Sequence, residues 1–145
     1  MSNYKLGLDI HGVITDDMLA MRSLAEAIML AKVLNEVHII SGPPVDVIKK
    51  ELESLGFVKG QHYSHIFSIV DYHLSIGTQV TWDENGHAWT DEYSWDKTKA
   101  DYCVREGINL HIDDSDQYGY FFKTPYARFF SKNKRKQKIF PGSKP

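Results

Sequence analysis

With 145 residues, a quarter of them charged and 42% hydrophobic, the chain has the length for one packed core and the balance of an ordinary globular protein. Its net charge of -2 excludes a global field that would draw it to nucleic acid or to acidic partners. No stretch is long and apolar enough for a membrane span, the opening MSNYKLGLD lacks a signal-peptide core, and the one cysteine, Cys103, has no internal partner; a cytoplasmic, reducing setting without membrane contact is expected.

In YKLGLDI, Leu6, Leu8 and Ile10 alternate with Lys5, Gly7 and Asp9, the period of a strand. The following DDMLAMRSLAEAIMLAKVLNE is rich in helix formers, with Asp16 or Asp17 as cap and Met21, Leu24, Ala25, Ile28 and Ala31 on one face. EVHIISG is a second strand, closed by Ser41-Gly42 and punctuated by Pro43-Pro44. VDVIKKELESLGF then gives an amphipathic helix with Gly56 at its C-cap. SHIFSIVDYHLSIG suits a strand and a short helix, and QVTWDENGHAWTD a hairpin around Asn85-Gly86, an insertion at about 78–91. SWDKTKADYCVREG predicts a helix opening at Ser94 or Asp96, INLHIDDS a strand ending in Asp113-Asp114, and GYFFK and YARFF late strands near the sheet edge.

Strands alternating with helices predict an α/β fold, a three-layer α/β/α sandwich with a central parallel, Rossmann-like sheet. Residues 1–131 are expected to form this one domain and residues 132–145 a basic, mobile tail. The run KNKRKQK suits a solvated tail, with nucleic-acid contact as the weaker alternative. Trp82, Trp89 and Trp95 gather around the hairpin, where packing or stacking against a base would use them. Cys103 reads as a small core residue.

In a parallel sheet, residues just past the carboxyl ends of the strands share one crevice. Three apolar strands here end in Asp9, in Ser41 and in Asp113-Asp114, and Lys97 and Lys99 lie on the helix leading to the last of them. Carboxylates with a hydroxyl and an ammonium suit a hard cation and the oxygens of a phosphate. Two carboxylates at one strand tip need a neutralising partner, and metal meets that need better than a cap role.

The order of these parts resembles the haloacid dehalogenase-like phosphohydrolase superfamily, whose four motifs correspond to LDIHGVITD, HIISG, a lysine within DKTKADYC, and HIDDS. The run KADYC with HIDDS is most similar to its small nucleotidase-like branch. The resemblance implies a HAD-like sandwich without a large cap domain, since only one helix fits between the first two motifs. It implies Mg²⁺ as cofactor and a small phosphorylated substrate, a nucleotide among the candidates. Asp9 would be the nucleophile that forms an aspartyl-phosphate. Asp9, the His11 carbonyl and Asp114 would hold the metal, with Asp113 in support. Ser41, Gly42, Gly12 and Lys99 would bind phosphate, and Lys97 is the alternative lysine. Gly12 would turn the chain sharply and bring backbone N–H groups toward the phosphate.

One position departs from that pattern. Where most phosphatases of the superfamily carry a second aspartate as acid and base, this chain carries His11. An imidazole can donate and accept a proton near neutrality, so a slow Mg²⁺-dependent phosphomonoesterase is expected. The alternative is an inactive relative that binds a phosphorylated ligand or a partner.

Overall fold

The computed structural model of the chain describes residues 3–130, so the basic tail expected at 132–145 lies outside the described residues. Strand β1 (Lys5–Leu8) pairs in parallel with β2 (Glu36–Ser41), matching Leu6 to Val37 and Leu8 to Ile39. Between them runs helix α1 (Met18–Ala31), capped by Asp17, whose carboxylate accepts from the Ala20 N–H. Helix α2 (Val45–Ser54) returns from β2 to β3 (His65–Ser68), which leads directly into α3 (Ile69–Ser75). The short strands β4 (Thr81–Trp82) and β5 (Ala88–Trp89) form an antiparallel pair of their own. Helix α4 (Glu92–Glu106) precedes β6 (Leu110–Asp113), and the single turn α5 (Asp116–Gly119) precedes β7 (Tyr126–Arg128). The main sheet has the order β3-β2-β1-β6-β7, with every neighbour parallel.

A parallel sheet needs cover on both faces, and alternation along the strands supplies two separate cores. Leu6, Leu8, Val37, Ile39 and Ile112 pack with Met21, Ala25, Ile48 and Leu52, the inner faces of α1 and α2. Ile40 and Phe67 belong to a second cluster with Ile69, Tyr102, Cys103 and Ile108, which draws on α3 and α4. The expected α/β class with a central parallel sheet flanked by helices is therefore present. No helix among the described residues is long and apolar enough to cross a membrane.

Two local expectations are corrected. Helix α4 opens neither at Ser94 nor at Asp96: Asp91 is the cap, accepting from the Ser94 N–H at 3.0 Å. Its early start puts Lys97 and Lys99 in the second turn, beyond the strongest part of the helix dipole. The segment GYFFK is not a strand, because Ser115 caps α5 there and the chain continues in turns; only the YAR of YARFF joins the sheet. The hairpin around Asn85-Gly86 is present, with Thr81 opposite Trp89 and Trp82 opposite Ala88. The Asp83 N–H donates to His87 O at 2.8 Å and closes the turn, while Asp83 Oδ1 accepts from the N–H groups of Asn85 and His87, an Asx-type arrangement.

Candidate active site

The order of the strands decides where the site lies. β1 is central, flanked by β2 and β6, and all three run the same way, so Asp9, Ser41 and Asp113-Asp114 arrive at one end of the sheet. Asp9 is locked there by its own N–H, which donates to Ile112 O at 3.0 Å. The tip of β3 does other work: Ser68 caps α3, and Asp71 in its first turn accepts from the Val45 N–H that opens α2. Above the tips lies a cavity of about 1330 Å³ that Asp9, Ser41, Lys99 and Asp114 line.

Lys99 is the hub of this end. It is 2% exposed, and its Nζ donates to Asp9 Oδ1 at 3.0 Å and Asp113 Oδ2 at 2.8 Å. Burial disfavours its charge, but Asp9 and Asp113 more than reverse that and hold the ammonium well above its ordinary value. Lys97 is corrected as a phosphate ligand. Two residues along a helix is a rotation of about 200°, which turns its amine to Asp101 at 4.0 Å and over the Tyr93 ring.

The two buried carboxylates that share Lys99 differ. Asp113 Oδ1 accepts from the N–H groups of Asp114 and Ser115; Oδ2 accepts from Lys99 and from His111 Nε2. Burial works against its charge, yet Lys99 and His111 outweigh it, so Asp113 stays ionised well below the usual carboxylate range. Both of its oxygens are engaged, and it anchors Lys99. Among the described residues the Asp9 carboxylate bonds only Lys99, and burial together with the Asp113 and Asp114 charges pushes it up to about 7. Ligand oxygens of Asp9, Asp113 and Asp114 come within 4.8 Å of one another. The donors facing the cavity, Asp9 and Asp114, are hard oxygens around an excess of negative charge, and this set fits Mg²⁺.

His11 follows Asp9 by two residues with extended backbone angles (φ -74°, ψ 125°), and Gly12 then turns at φ 83°, a conformation that favours glycine. The Gly12 N–H donates to Thr15 Oγ1 at 3.0 Å. Gly42 is required for a different reason, since a Cβ there would stand 2.8 Å from the Trp95 ring. The imidazole of His11 meets a residue that sequence reasoning missed: Glu51 of α2, its Oε2 2.5 Å from His11 Nε2. Both line the cavity, as does Val47 one turn earlier on α2. The i, i+4 spacing of Val47 and Glu51 was the available signal, because it puts them on one helix face.

The hairpin walls the other side. Asn85 to Thr90 line the cavity, and Trp89 packs on Trp95 with ring centroids 5.4 Å apart. Trp82 is half exposed and does not line it. Tyr118, also unanticipated, accepts from Trp95 Nε1 at 3.0 Å and lies 4.8 Å beneath the Lys99 amine. Cys103 is fully buried in the second core, and burial pushes its thiol up to about 12, which leaves it inert. Comparison with protein-family models, curated proteins and solved structures returns no match to this chain.

Proposed function

We propose that the protein is a Mg²⁺-dependent phosphomonoester hydrolase of the haloacid dehalogenase-like type, working through an aspartyl-phosphate on Asp9. One observation carries the reading: a buried, under-compensated carboxylate faces an open cavity beside a fully buried ammonium and a strand-end hydroxyl. Phosphoryl transfer asks for that combination, a carboxylate to carry the group and fixed positive charge to stabilise it.

Lys99 occupies Asp9 Oδ1, so Oδ2 is the attacking atom. Its lone pair forms the bond to phosphorus as the ester P–O bond breaks, and the electrons of that bond leave on the alcohol oxygen. Ser41 Oγ and Lys99 Nζ donate to the phosphoryl oxygens. A Mg²⁺ held by Asp9, Asp114 and the His11 carbonyl would neutralise phosphoryl charge. Glu51 engages His11 Nε2, which leaves Nδ1 to protonate the leaving oxygen. In the second half, water attacks phosphorus, His11 takes its proton, and Asp9 is released as a carboxylate with inorganic phosphate. The cavity is larger than a phosphate needs, and the Trp89–Trp95 wall suits a flat aromatic leaving group such as a nucleoside.

The test is turnover of an aryl phosphate with and without Mg²⁺. Activity should require the cation and fall by about a thousandfold or more in Asp9→Asn, the scale of losing a nucleophile. His11 in place of an acidic group favours a second reading, a phospholigand-binding domain without turnover. Phosphate binding without hydrolysis under any divalent cation would establish that reading instead.

A further inference from the structure

At the opposite, amino end of the sheet, three metal-ligating side chains meet that the proposed reaction does not use. Glu36 and His38 are two residues apart on β2 and project from one face, while His65 is the in-register partner of His38 on β3. This is a three-cornered arrangement on two neighbouring strands, and a ligand atom of each residue lies within 4.8 Å of the others. We propose that Glu36, His38 and His65 form a second metal site, selective for Zn²⁺ or a similar imidazole-binding ion over Mg²⁺.

The donor set decides the ion. Two imidazoles and one carboxylate suit Zn²⁺, and three protein ligands leave a position for water. The supporting shell is already built. His38 is fully buried, its Nδ1 is 2.6 Å from the Tyr102 hydroxyl, and its Nε2 is 2.6 Å from Glu36 Oε1. Facing a carboxylate, Nε2 carries the ring proton and Nδ1 accepts from Tyr102. A hydroxyl can donate or accept, so the proton can move to Nδ1 and Tyr102 still bonds it, freeing Nε2 for the ion.

Two features set what must move. The His38 and His65 rings are stacked, 4.3 Å apart and 6° from parallel, so one ion cannot lie in both ring planes. His65 is half exposed and held through Ser64 Oγ, so it is the ring that turns. Lys5 Nζ, 3.9 Å from Glu36, also donates to Glu106 O at 2.9 Å and can stay there when Glu36 takes the ion.

The experiment is calorimetric titration of the full chain with Zn²⁺ in the presence of millimolar Mg²⁺, with a parallel Co²⁺ titration read by visible absorption. The expected result is one equivalent of Zn²⁺ at micromolar affinity or tighter, and d–d bands from Co²⁺ at low coordination number. His65→Ala, an exposed position that leaves the core intact, should weaken Zn²⁺ binding at least a hundredfold. Asp9→Asn, at the far end, should leave it unchanged. Zn²⁺ binding that survives His65→Ala, disappears with Asp9→Asn, or is weaker than about 0.1 mM overturns the proposal. None of these outcomes depends on phosphatase activity.

Discussion

The two ends of one parallel sheet carry charge in opposite styles. At the carboxyl end, Asp9, Lys99 and Asp113 are buried, and the ammonium spans two carboxylates at 3.0 and 2.8 Å. At the amino end, Glu36 and Lys5 are partly exposed and 3.9 Å apart, beside a stacked imidazole pair. The difference follows from chain direction: the carboxyl tips turn into helices that enclose a crevice, whereas the amino ends are entered from surface loops. Charge buried in the crevice is expensive, so the well-partnered Asp113 stays ionised while Asp9, with fewer partners, is pushed up to about 7. Charge at the rim is cheap and adjustable.

The largest effect should come from Lys99. Removing it as Lys99→Met leaves two buried carboxylates facing each other, and about 3–5 kcal/mol of stability should be lost in denaturant unfolding. Lys5→Met at the other end, and Lys97→Met two positions away, should each cost less than about 1 kcal/mol. Similar losses at Lys5 and Lys99 would break the contrast between the ends.

Next in size is the His11–Glu51 pair. His11→Ala should lower alkyl-phosphate turnover by about 10²–10⁴, the range of general acid–base catalysis, and aryl-phosphate turnover far less. Glu51→Gln should fall in the same direction by a smaller factor. His11→Asp alone would set a carboxylate against Glu51, so it should recover alkyl turnover only when combined with Glu51→Gln. Steady-state rates on paired alkyl and aryl substrates check all three.

A smaller effect tests the cavity wall. Trp89→Ala should raise KM for nucleoside monophosphates about 5- to 100-fold, equivalent to about 1–3 kcal/mol of stacking. Trp82→Ala, whose ring does not line the cavity, should change it little.

A pH dependence tests the same buried carboxylate without substrate. Asp9 in the folded chain titrates at about 7, above its ordinary 3.8. The folded state therefore holds a proton that the unfolded chain releases first, and this stability is present below about pH 4 and lost as pH rises through 7. Without divalent cations, Asp9→Asn should melt higher than the wild type at pH 7, on the order of 3 °C per kcal/mol, with the gap closing toward pH 4. Thermal melts across that range check the sign.

Much of this was legible in the sequence, and the reasons differ from place to place. Strand ends were readable because a buried parallel strand is an apolar run that stops abruptly, as at Asp9, Ser41 and Asp113. Lysine choice was only half readable: Lys97 and Lys99 are alike in type, and the rotation of a helix separates them. Glu51 was hidden because its partner His11 lies 40 residues away, across a contact that only the packing of α2 on the sheet creates. His111 was hidden among seven histidines, although its i, i+2 spacing from Asp113 puts both on one face of β6. The end of the chain misled in GYFFK because aromatic residues favour strands, yet Ser115 and Asp116 open a helical turn first. Phe122 from that segment stacks on His111 instead, with centroids 5.1 Å apart.

The central claim is that Asp9 carries a phosphoryl group. The direct measurement is acid-quench trapping of the protein with a radiolabelled aryl phosphate and Mg²⁺, followed by hydroxylamine treatment. The wild type should carry label that survives the acid quench and is removed by hydroxylamine, as for an acyl phosphate, and Asp9→Asn should carry none. Label that persists in Asp9→Asn, or that acid itself removes as from a phosphohistidine at His11, would contradict it.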